Sequence, residues 1–145
     1  MKTHLPLGSH LIRGDQSLRR FVYDLGVILS HYDHPRANQL LHRLESLSDA
    51  AEYAMTNLVY GVHGIIYELN RHVPPFTYFG PNLTDPNNYG VWIDLEQLSE
   101  AERTGRLVQT GSYPVKGHST WILELGEEIK LHKRKPHQHV WTFKT

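Results

Sequence analysis

The stretch VYGVHGIIYELNRH, residues 59–72, decides how the first half of the chain is read. Its apolar residues keep a helical period, yet Gly61 and Gly64 interrupt it three apart with His63 between them. A glycine inside a helix costs about 1 kcal/mol relative to alanine, so two of them imply something that only missing side chains permit. Working back, Leu40, Leu44, Leu47, Ala51, Ala54, Leu58, Val62, Ile65 and Leu69 keep mostly alternating spacings of four and three between Arg36 and Arg71. Unbroken, that helix would measure roughly 54 Å, against a diameter of about 38 Å for a compact chain of this length. It therefore breaks or projects. Asp49 with Glu52 three residues on makes SLSD, residues 46–49, the natural break. The alternative is a continuous helix whose projecting end pairs with a second copy, which makes a homodimer an expectation.

On one continuous helix, Ala51, Ala54, Met55, Leu58, Val62, Ile65 and Leu69 fill the core face, and Tyr53, Tyr60 and Tyr67, spaced by seven, fall opposite. Gly64 then lies beside Tyr60 and Tyr67, where its missing side chain would admit backbone or a ligand between two rings. Such a tyrosine face is either covered by a second layer of the domain or left for a partner, tyrosine being enriched at interfaces. Gly61 lies off both stripes and reads as a kink.

Upstream, Asp15 reads as an N-cap, and Leu18, Phe21, Val22, Leu25, Ile28, Leu29 and Tyr32 follow at the spacing of one amphipathic helix. HYDHPR, residues 31–36, ends it, with Pro35 suited to the first turn of the next helix. Downstream, HVPPFTYFGPNLTDPNNYG, residues 72–90, reads as a Pro/Asn-rich loop with one short strand around Thr77 to Phe79. VWID is a strand and LEQLSEAERTG a short helix, with Asp94 and Gln97 at capping-box spacing and Gly105 as its stop. RLVQT, TWILEL, IKLHKR and HQHVWTFK complete a strand-rich second half. The expected fold is α+β: an N-terminal helical hairpin with one long, breakable helix, packed against a small, mostly antiparallel sheet that carries one short helix. It is expected as a single domain, with residues 1–14 an N-terminal segment, 15–72 helical, 73–90 a loop and 91–145 the sheet.

The chain of 145 residues, 39% of them apolar, can bury one real core. Without cysteine it has no disulfide framework, thiolate metal site or cysteine nucleophile. No apolar run reaches membrane-spanning length and the N-terminus lacks a secretory h-region, so a soluble, cytoplasmic protein without membrane partners is expected. A formal net charge of zero gives no global field for nucleic acid, but the charge is polarised along the sequence. Lys130, Lys133, Arg134, Lys135 and Lys144 fall in 130–145 with no acid, whereas 94–128 carries seven acids against Arg103, Arg106 and Lys116. Eleven histidines make the charge responsive between about pH 5 and 8.

Several constellations bear on chemistry. His137 and His139 sit two apart, on one strand face with Trp141 and Phe143 and beside Pro136, which suits an edge. They are a weak metal pair because no third ligand is local. His31, Asp33 and His34 cluster at a turn, where capping accounts for Asp33. His118 with Thr120 makes one His-x-Thr arrangement that has no second copy, and Ser119 lacks an orienting group that would make it a nucleophile. Asp94, Glu96, Glu100 and Glu102 read as a solvated helix face. No glycine-rich phosphate loop, nucleophile elbow or HExxH occurs.

These features favour a non-enzymatic binding or regulatory module, inhibition included, acting on another protein through Tyr53, Tyr60, Gly64, Tyr67 and the Pro/Asn loop. No cofactor is expected. One alternative is a nucleic-acid-binding regulator that uses residues 130–144, with Lys133, Arg134, Lys135 and His137 on phosphates and Trp141 stacking on a base. The other is a histidine-based hydrolase using His118, His137 and His139.

Overall fold

The computed structural model describes residues 4–135 and 137–144. The reading of Pro136 as an edge residue falls outside the described residues. The fold is α+β, and the chain forms two compact units: one from the described residues up to Val73 together with Tyr78–Trp92, the other from Pro74–Thr77 and the described residues from Ile93 onward.

In the first unit β1 (Gly8–Arg13) precedes a helical hairpin, α1 (Leu18–Ser30) and α2 (His34–Glu45). Helix α1 is capped not by Asp15 but by Ser17, whose hydroxyl accepts from the Arg20 amide; Asp15 is drawn instead to Arg13, at 3.3 Å. Asp33 caps α2 through the Arg36 amide at 3.2 Å, and Pro35 sits in the first turn, as its sequence suggests. The hairpin packs closely because Gly26 of α1 leaves room for the Leu41 side chain of α2.

The long helical pattern breaks twice. Between α2 and α3 (Glu52–Tyr60) the break falls at SLSD, but no side chain caps α3. Asp49, the expected cap, is held by Arg19 Nε at 2.8 Å, while the terminal nitrogens of the same guanidinium donate to the carbonyls of Leu44 and Leu47. One arginine thus closes the C-terminal end of α2 and claims the carboxylate.

The second break corrects the reading of residues 59–72 as one helix. Gly61 ends α3 and Gly64 begins α4 (Ile65–Leu69), with a 2.8 Å bond from the Gly64 amide to the Gly61 carbonyl closing a turn. His63, the third residue of that turn, has φ +62°, a value that histidine tolerates better than a branched residue. Its carbonyl accepts from Arg36 at 2.7 Å, and its ring meets Tyr67 edge-on at 4.9 Å. A Cβ at Gly64 would not face the tyrosines: it would stand 2.8–2.9 Å from the carbonyl oxygens of Leu58, Val59 and Gly61. Glycine is needed there so that the chain can fold back onto the end of α3. With no continuous helix, the geometric argument for a projecting end disappears.

The short strand expected around Thr77 to Phe79 is β2 (Thr77–Pro81), and the strand expected at VWID starts earlier, within the residues read as loop, as β3 (Asn88–Ile93); with β1 they form a sheet of order β1-β3-β2. Strand β1 runs antiparallel to β3, with a register shift between Ser9 and Ile12. At Gly90 the two backbones approach so closely that a Cβ would lie 2.9 Å from Ser9 Cα. The core of this unit joins Leu5, Phe21, Leu25 and Leu29 to Leu40, Leu58, Ile65, Leu69 and Phe79.

In the second unit Asp94 caps α5 (Leu95–Arg103) by accepting from the Gln97 amide, the Gln97 side-chain amide donates to the same carboxylate, and Gly105 at φ +77° follows its end. The sheet has the order β4-β5-β6-β7, from β4 (Leu107–Thr110), β5 (Trp121–Glu124), β6 (Glu128–Lys133) and β7 (Gln138–Lys144). The first pair is parallel and the other two antiparallel. Leu98, Ala101, Leu107, Ile122, Leu123, Leu131 and Trp141 are buried. Among the described residues no helix is long and apolar enough to cross a membrane.

Candidate functional site

The tyrosines of the expected binding face are divided between two helices, Tyr53 and Tyr60 on α3 and Tyr67 on α4, and all three are exposed. Tyr53 is 88% exposed and Val62, expected in the core seam, 85%. Val62 is turned out because the helix ends one residue before it. The Pro/Asn segment places Leu83 in the β2–β3 connection, residues 82–87, at 78% exposure. That connection is fixed by Asn82, whose side-chain oxygen accepts from the amides of Thr84 and Asp85 and from the Thr84 hydroxyl. Arg13 pairs with Asp85 at 3.0 Å beside it.

Tyr60 is less free than its neighbours, since its hydroxyl shares a 2.8 Å hydrogen bond with that of Tyr89. Burial, the bond to Tyr89 and the charge Tyr89 would carry when ionised all push the Tyr60 hydroxyl above the ordinary tyrosine range, and burial pushes Tyr32 the same way. A folded pKa raised above the unfolded one gives stability that is complete below about pH 10 and lost as the pH rises further. Tyr60→Phe should therefore flatten, without abolishing, the alkaline fall in denaturation midpoint above about pH 10. An unchanged slope would mean that Tyr60 ionises as an ordinary tyrosine.

His132, His137, Arg134 and Lys135 of the second unit meet the connection between β4 and β5, residues 111–120, which itself carries His118. His132 is 7% exposed; its Nε2 meets Glu124 Oε1 at 3.0 Å, while Nδ1 finds no protein partner. Tyr113 stacks on the His132 ring at 4.0 Å, with His137 and His139 at 5.8 and 5.9 Å. Two of the three candidate histidines thus surround a third that the sequence reading passed over, together with Glu124 and Tyr113. The signal that could have found them is the short connection, residues 125–127, which sets β5 antiparallel to β6 and brings Glu124 and His132 together.

The reading that His139 and Trp141 share a face is overturned by a register shift: His132 pairs with His139 and Leu131 with Trp141, so Val140 is an extra residue. Trp141 is consequently buried, its Nε1 donating to the Pro75 carbonyl at 2.8 Å, and it cannot stack on a base. Trp121 instead lies under Lys133, whose Nζ is 5.9 Å from the ring centre.

His118 belongs to a different group. With Gly117, Ser119, Thr120, Arg134 and Lys135 it lines a cavity of about 170 Å³. Arg134 donates Nε to the Ser119 carbonyl at 2.7 Å, Nη1 to the Val115 carbonyl at 2.8 Å and Nη2 to Ser119 Oγ at 3.1 Å. Of the acidic candidates, Asp94 caps α5 and Glu100 pairs with Arg103, while Glu96 and Glu102 are exposed.

These contacts limit the chemistry. Acid–base catalysis needs a group within hydrogen-bond reach of substrate, and the free nitrogen of His132 is enclosed. His139 is occupied by Thr142 Oγ1 at 2.7 Å. Among the described residues no three His, Asp or Glu side chains are arranged to hold a metal ion. No protein-family model, curated protein or solved structure matches the chain.

Proposed function

We propose that the chain is a non-enzymatic binding or regulatory module that docks another protein on the outer surface of its first unit, through Tyr53, Val62, Tyr67 and Leu83. One observation carries this reading: among the described residues the three most exposed large apolar side chains, Tyr53, Val62 and Leu83, fall on the two segments singled out by the sequence, the tyrosine stretch and the Pro/Asn segment. Exposed apolar side chains contribute nothing to the core and favour association when a partner covers them. Tyrosine also offers a large contact area at low conformational cost.

The test compares the wild type with a triple variant, Tyr53→Ser, Val62→Ser and Leu83→Ser. Its circular dichroism and melting temperature should match the wild type, because surface substitutions stay within about 0.5 kcal/mol. A species captured by the wild type should be lost by the variant. Light scattering of both proteins tells whether that species is a second copy of the chain. Capture that survives all three substitutions refutes this surface.

A further inference from the structure

We infer that the cavity built by residues 117–120 with Arg134 and Lys135 is a binding site for a tetrahedral oxyanion, and that the ligand it is shaped to take is a phosphate monoester. This does not rest on the docking surface of the first unit. Arg13, Arg19, Arg20, Arg71 and Arg103 each pair with a carboxylate. Like Arg36 and Arg106, Arg134 pairs with none among the described residues; half-buried, it is held by neutral acceptors only. Those acceptors fix the plane of the guanidinium without cancelling its charge.

A guanidinium has five N–H donors, and the β4–β5 connection uses three of Arg134's, leaving one on each terminal nitrogen. Such a paired edge matches two oxygens of a phosphate. Ser119 Oγ accepts from Arg134, which leaves its own hydroxyl proton to donate. Lys135 adds a second cation, and Thr120 and the imidazole of His118 add donors, while among the described residues no carboxylate lines the cavity. A cavity of about 170 Å³ is well beyond the roughly 10–15 Å³ that a single water needs on the same measure, leaving space for a phosphate and the first atoms of its ester. Gly117 completes the cradle: at φ +143° it is unsuited to any side chain, and a Cβ there would sit 3.5 Å from Arg134 Nη2.

The expected result is saturable, single-site binding of inorganic phosphate by calorimetry at low salt, with sulfate competing. Lys135→Glu and His118→Ala should each weaken it, the former by about tenfold or more, with melting unchanged, since both side chains are exposed. Arg134→Lys should weaken binding further, because an ammonium cannot offer the paired edge. Two labelled oligonucleotides, one with a 5′-phosphate and one with a 5′-hydroxyl, locate the source. Preference for the phosphorylated end assigns nucleic-acid termini; equal, weak binding of both, with phosphate binding intact, assigns small phosphate esters. No saturable phosphate binding, or an affinity unmoved by Lys135→Glu, overturns the site. So does tight, salt-sensitive binding of both oligonucleotides without phosphate binding, which would make the surface a reader of the nucleic-acid backbone.

Discussion

Gly64→Ala should destabilise the protein by about 2–3 kcal/mol, the range in which overpacking a close backbone contact falls. The residue has ordinary extended geometry, with φ −72° and ψ −178°, so backbone strain is not the reason. The reason is that the added methyl has nowhere to go. It would meet three carbonyl oxygens at 2.8–2.9 Å, and these belong to the last turn of α3 and to the turn itself, which are backbone and cannot rotate away. Relief requires opening the Gly61–Gly64 bond or displacing α4, whose Ile65 and Leu69 are fully buried. Thermal unfolding should shift down on the order of 10 °C. Gly111→Ala is the matched control, since a Cβ there meets nothing within 4 Å, and it should melt with the wild type. If Gly64→Ala melts normally and loses partner binding instead, the glycine serves the tyrosine surface, as the sequence alone suggested.

That contrast marks where the sequence stops being legible. Helices α1, α2 and α5 follow from spacing that local residues fix, and the caps Asp33 and Asp94 act on amides three residues away. Asp15 and Asp49 carried the same signal but are claimed by Arg13 and Arg19, and the second of these partners is distant in sequence. The turn at Gly61–Gly64 was hidden because the helical period survives it: Leu58 before it and Ile65 and Leu69 after it are all buried, and only Val62 betrays the break. Strand β1 was hidden for another reason. Residues 8–13 become a strand by pairing with 88–91, a contact no local pattern encodes. In the second unit every strand was readable from alternation, but one extra residue at Val140 was enough to exchange a wet tryptophan for a buried one. The cavity at Arg134 joins GHST to the basic run, two motifs visible separately in the sequence and meeting only in the fold.

The second large effect is expected at Glu124. Glu124→Ala removes the only hydrogen-bond partner that the His132 ring has among the described residues, leaving both nitrogens of a nearly buried imidazole unsatisfied, which should cost about 2–3 kcal/mol. The stack of Tyr113 on the ring blocks the simplest escape, rotation of His132 toward solvent. A double variant, Glu124→Leu with His132→Phe, tests the cause. It removes both polar partners and keeps an aromatic ring beneath Tyr113, so it should lie within about 1 kcal/mol of the wild type despite carrying the more drastic change. Denaturant midpoints of Glu124→Leu, His132→Phe and the double close a thermodynamic cycle, and the coupling should be favourable by about 1–2 kcal/mol. Were the double variant as unstable as the sum of the singles, the two side chains would be acting independently. If it is stable yet fails in partner or phosphate binding, the dyad is retained to shape the β4–β5 connection rather than to hold the sheet.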